Sequence, residues 1–164
     1  MTHVLSELLQ GEHAHTNPIL CVDVSAEVAG RKPSPLPHSV FEFVWHMNYW
    51  MSHELERISG TPRPYPEYAS LTWPAMAAPD GETWRKAQRE FHSLLGRLQA
   101  LAVCGPSERA RVVLHSGPRE GSRAYTVEEV VWQTAVHNSY HLGQVVLVRR
   151  ALGVWPPKEG SDTW

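Results

Sequence analysis

The 164-residue chain has only two cysteines, Cys21 and Cys104, and no C-x-x-C pair. That excludes a zinc-thiolate knuckle and a disulfide framework, and it fits a reducing cytoplasm. It has no excess of charge of either sign. Fifteen Lys and Arg against 17 Asp and Glu leave a formal net charge of -2, with no basic stripe to neutralise phosphates, so nucleic acid is not an expected partner. No apolar run approaches the roughly 20 residues a membrane span requires. The opening MTHVLSELLQGEHAH lacks a basic segment followed by an apolar one, so neither a membrane partner nor export is expected. Also missing are long alternations of apolar and polar residues, a phosphate-binding glycine loop, a dinucleotide fingerprint and a Ser-His-Asp order. With 42% hydrophobic and 20% charged residues, the expectation is one cytoplasmic domain over residues 1–164, built around a single core.

What is present is helical periodicity, and the predicted class is all-α. Thr2 can cap a short helix through Leu5, Leu8 and Leu9 that Gly11 interrupts; Pro18 fits the first turn of a continuation through Leu20 and Val24 to Gly30. RKPSPLP at 31–37 reads as an extended link, after which Ser39 caps a helix over about 39–59, ended by Gly60. This second helix is apolar almost all the way round. TPRPYPEYASLTWPAMAAP is long for a connection and is expected to wrap over something, with Trp73 a candidate pocket residue. Asp80 caps a third helix over about 81–104, with Trp84, Ala87, Phe91, Leu94, Leu95, Leu98 and Leu101 on one face. Residues 105–125 are irregular, RVVLHSG being a candidate extended stretch and SERAR a candidate helical turn. Thr126 and Glu129 form a capping box for a last helix reaching about Leu152. These helices point to an antiparallel four-helix bundle with long loops.

Ten histidines make their placement matter. HNSYHLGQ, residues 137–144, sets His137 and His141 four apart on a stripe of Val130, Thr134, His137, His141, Gln144, Val148 and Leu152. Residues four apart on one helix face stand roughly 6 Å apart, near enough to share one metal ion. His46, inside the apolar VWHMNYW, sends a third imidazole inward. Core histidines hydrogen-bonded to carbonyls or hydroxyls are one account. A divalent cation is the other, and it satisfies all three rings at once while leaving positions for water or substrate.

The LPHSVFEFVWH segment and the H-N-x-Y-H-L-G-Q segment resemble the DinB-like superfamily, also described as YfiT-like metal-dependent hydrolases. The resemblance spans nearly the whole chain. It implies a four-helix bundle holding one divalent metal ion, nickel or zinc in many relatives, through His46, His137 and His141, commonly in a homodimer. Relatives are linked to thiol-cofactor transfer, isomerisation and hydrolysis. The expectation is therefore a metal-dependent hydrolase or thiol-cofactor transferase acting on a small molecule. The alternative is a non-catalytic metal-binding or stress-related interaction protein.

Other residues are candidates for the same centre. His53, seven after His46, is a candidate fourth ligand or proton shuttle, or else a surface residue beside Glu54 and Glu56. Glu12 is a candidate general base, His15 a candidate pocket residue, and Gln144 a candidate partner for a ligand's second nitrogen or for substrate. His38, Ser39 and His115 are read as surface positions, and Arg149 and Arg150 as complements to the last helix's dipole. The broad apolar surface of the second helix is the residue-level ground for the homodimer.

Overall fold

Caps and prolines set the helix boundaries in the computed structural model, which describes residues 4–11, 15–76, 78–113 and 124–157. Helix α1 (Val4–Gln10) buries Leu5, Ser6 and Leu9 and stops at Gly11, whose φ of 80° suits glycine. Beyond it, the single continuation expected through Leu20 and Val24 is instead two five-residue helices, α2 (Pro18–Val22) and α3 (Ala26–Gly30). Each has its own cap: Asn17 accepts from the Ile19 N–H and Ser25 from the Val28 N–H, so the chain restarts twice.

Helix α4 (Val40–Ser59) opens on a reciprocal capping box. Ser39 Oγ accepts from the Glu42 N–H at 3.3 Å, and Glu42 Oε2 from the Ser39 N–H at 2.7 Å. It ends where Gly60 turns left-handed at φ 86°. The following segment carries a 3-10 turn, Ala69–Thr72, that lies against α4. Asp80 then caps α5 (Gly81–Ala102) through the Thr83 N–H at 2.7 Å. The short α6 (Pro106–Arg109) comes next, and strand β1 (Val112–Val113) pairs antiparallel with β2 (Tyr125–Thr126). The mirrored capping box of Thr126 and Glu129 starts α7 (Val127–Ala151). The chain is mostly helical, and no helix among the described residues is long and apolar enough to cross a membrane.

Packing is organised by α4, which lies against both α5 and α7, while α1 and α3 lean on α5 and α2 on α7. Phe41, Val44, Met47 and Met51 of α4 meet Phe91, Leu95 and Leu98 of α5 and Val131, Ala135, Leu142 and Val145 of α7 in one buried cluster. Each fully buried large side chain there contributes about 1.5–3 kcal/mol. Polar ties fix the register: Asn48 donates to the Ala87 carbonyl at 2.9 Å, Trp84 Nε1 to Val24 at 2.7 Å and Gln88 to Val22 at 3.0 Å. Arg149, read as a complement to the dipole of the last helix, is 3% exposed and donates to the Leu20 and Cys21 carbonyls at 2.6 and 2.8 Å. It closes the end of α2 while its guanidinium lies 4.9 Å from the Trp155 ring centroid.

The stripe expected on α7 is buried or half-buried along its whole length. A second, continuously buried line runs Val127, Val131, Ala135, Asn138, Leu142, Val145 and Arg149. The line of His137, His141 and Gln144 lies about 100° away around the helix, along the seam with α4. Since α7 packs against several elements, its buried arc is wide enough to hold both lines.

Candidate metal centre

The midpoint of α4 and two successive turns of α7 meet at that seam and bring three imidazoles together. Ring centroids of His46 and His137 lie 5.3 Å apart, His46 and His141 4.8 Å, and His137 and His141 4.5 Å. One nitrogen from each falls within 4.8 Å of the other two. His53 does not join them. Two turns along α4 carry it about 10 Å down the helix axis, where it is fully buried among Trp50, Tyr49 and Tyr65.

The hydrogen bonds assign the tautomers. Thr72 Oγ1 donates to the Ala69 carbonyl at 2.7 Å, so at 2.8 Å from His46 Nδ1 it can only accept, which places the His46 proton on Nδ1. Gln144 Oε1, 2.7 Å from His141 Nδ1, holds that ring's proton in the same way. Both rings therefore turn an unprotonated Nε2 toward the centre, the arrangement a metal-binding imidazole needs. Burial, then the neighbouring imidazoles, push His46 down to about 3 and His137 to about 4, and burial also lowers His141. All three are neutral near pH 7, with electron pairs available.

The donor set fits a divalent cation. The Nε2 atoms of His137 and His141 stand 3.1 Å apart. Two nitrogens bound to one ion at about 2.0–2.1 Å, at angles between right and tetrahedral, stand about 2.9–3.4 Å apart. Without an ion, that contact requires a proton on His137 Nε2; with the proton on Nδ1 instead, both Nε2 lone pairs are free for a cation.

Aromatic rings roof the centre. Trp73 stacks on His46 at 4.1 Å between centroids and on His38 at 3.9 Å, so one indole is held between two imidazoles. The position read as surface for His38 is thus part of this wall, where Phe43 also meets His141 at 5.6 Å. On the other side, a cavity of about 300 Å³ lies against His137, lined also by Trp50, Glu54, Tyr65, Gln133 and Thr134.

The remaining candidates fall elsewhere. His15 has Nδ1 2.9 Å from the Thr16 carbonyl and Nε2 3.3 Å from Ser139 Oγ, two positions and about 200° round α7 from His137. Glu12 and His115 lie outside the described residues. Sequence reasoning missed Thr72 and Glu54. Thr72 reaches His46 across 26 residues and leaves no local signal. Glu54 did leave one, standing eight after His46 with Trp50 between them, on one helix face.

No curated protein and no solved structure matches this chain. The sequence profile of the DinB superfamily does, over residues 12–145, a span that takes in all three converging histidines and well over half of the chain. The chain belongs to the DinB superfamily.

Proposed function

We propose that the protein is a metal-dependent enzyme in which His46, His137 and His141 hold one divalent cation, zinc or nickel, and a small molecule reacts beside His137. The carrying observation is the convergence of imidazole nitrogens whose outer protons are taken by Gln144 and Thr72. The chemistry such a cation supplies is Lewis acidity, which draws the pKa of a water or thiol toward neutrality and suits hydrolysis or thiol transfer. The chain's own part is to aim the three rings, exclude water with Trp73 and Phe43, and admit substrate through the cavity. The proposed surroundings are one DinB-like domain over residues 1–164, an antiparallel four-helix bundle with α1–α3 in the fourth position, in the cytoplasm.

A homodimer belongs to the same proposal, on a different face from the one the sequence pointed to. Most of α4 is buried within the chain. Exposed apolar side chains instead line α7 at Trp132, Val136, Tyr140 and Leu147. Acidic residues at its start and Arg150 near its end suit antiparallel pairing with a second copy. Light scattering is expected to give a dimer mass, and Val136→Glu a monomer; a monomeric wild type removes this part.

The test of the centre is metal content by plasma mass spectrometry on untagged protein beside the His137→Ala/His141→Ala variant. About one equivalent in the wild type, none in the variant, and turnover of a thiol or ester only by loaded wild type are expected. No metal in either after exposure to zinc or nickel sinks the proposal.

A further inference from the structure

Among the described residues that line the cavity beside His137, one side chain is formally charged, and it is acidic. Glu54 stands on the face of α4 that also carries His46 and Trp50. Its carboxylate is fixed from within the protein: Arg57 Nη1 donates to Oε2 at 3.0 Å and His53 Nδ1 approaches Oε1 at 3.3 Å. Arg57 is 2% exposed and His53 fully buried, whereas the Glu54 side chain keeps 16% exposure. Each carboxylate oxygen accepts more than one hydrogen bond, so the pair of inner partners leaves acceptor capacity for the cavity. An ordinary surface glutamate is not held this way. Two buried groups that are costly to desolvate are used here to set the direction of one carboxylate.

The other lining groups favour the same kind of guest. Trp50 and Tyr65 present rings whose centroids lie 5.4 Å apart with planes tilted by 50°. Aromatic faces attract cations and not anions. Thr134 is occupied, donating to the Val130 carbonyl at 2.8 Å, and Gln133 adds a neutral amide. A volume of about 300 Å³ holds about ten non-hydrogen atoms, at roughly 30 Å³ each.

We propose that this cavity selects small molecules bearing a protonated amine, the ammonium held by the Glu54 carboxylate and the faces of Trp50 and Tyr65, with the opposite end of the molecule toward His137. The orientation toward His137 rests on the proposed metal centre; the selection for a cation does not, since it needs only the cavity.

The experiment compares phenethylamine with phenylacetate, two guests of similar shape and opposite charge, by ligand-observed NMR titration at pH 7 on metal-free and on zinc-loaded protein. The metal-free wild type is expected to bind the amine at least ten-fold tighter than the acid. Glu54→Gln keeps its zinc stoichiometry and loses that preference. Gln133→Glu, an exposed position on the facing wall, raises amine affinity several-fold. Equal or tighter binding of phenylacetate to the metal-free wild type overturns the proposal, as does an unchanged preference in Glu54→Gln. If circular dichroism shows that Glu54→Gln does not fold, Gln133→Glu decides, and no gain in amine affinity counts against the cavity. Failure of the wild type to take zinc removes the metal centre alone, because amine selection is read on metal-free protein.

Discussion

Gln144 holds the Nδ1 proton of His141 across 2.7 Å, one turn further along the same helix. With Thr72 doing the same for His46, the direction of both Nε2 lone pairs is set before any ion arrives. Gln144→Leu or Thr72→Val is expected to weaken zinc binding about 10–100-fold, measured by competition with a chelator. Thr72→Ser, which keeps the acceptor, should stay near wild type. Undiminished affinity in both apolar variants would leave those hydrogen bonds with no part in metal binding.

Arg149 supports the fold and not the centre. Replacing it by Met leaves the Leu20 and Cys21 carbonyls without their donor and should cost about 3 kcal/mol, read as a lower urea midpoint with zinc stoichiometry intact. A change within a few tenths of a kcal/mol would mean that water replaces the guanidinium at no cost.

Acid should loosen the start of α4. Burial pushes the Glu42 carboxyl up, but the hydrogen bond and charge of Lys32, at 2.8 Å, and the Ser39 N–H outweigh it and hold the group below 4.5. A carboxyl lowered by folding contributes stability that is fully present above its unfolded pKa of about 4.5 and is lost as pH falls through the lower folded value. Wild type should therefore lose stability below about pH 4.5 more steeply than Glu42→Gln. Parallel pH profiles would contradict this. Ser39→Ala, which removes the cap itself, should cost about 1 kcal/mol at any pH.

The two cysteines should behave differently toward iodoacetamide. Burial pushes the Cys21 thiol up to about 12 and closes it to solvent, whereas Cys104 is half-buried. One equivalent of label on Cys104 is expected in native protein, with Cys21 labelled only in denaturant. Mass-spectrometric mapping of native label to Cys21 would show that the α2 segment opens more readily than its packing implies.

The long elements were legible because their signals are local. Ser39 with Glu42 and Thr126 with Glu129 announce helix starts within four residues, and the three-and-four spacing from Trp84 to Leu98 fixes the buried face of α5. Three histidines on two strongly periodic helices were legible for the same reason. The broken α2–α3 segment was not, because Asn17 and Ser25 compete as caps against a weak helical pattern. Trp73 was legible as a pocket residue of the Pro-rich segment, but Thr72 was hidden, since nothing near it in the chain refers to His46. The carbonyl partners of Arg149 were hidden as well, because its long side chain turns back over α2, which helix position alone does not reveal.

The offset of the histidine line from the axial line of α7 separates what this chain must inherit to stay folded from what it is free to vary. Val131, Ala135, Leu142 and Val145 fill the interior, one position after the residues that meet at the seam. His137, His141 and Gln144 can be exchanged for others while those four core side chains stay in place. One scaffold can therefore drift between chemistries, or lose its histidines altogether, while its descendants still fold alike.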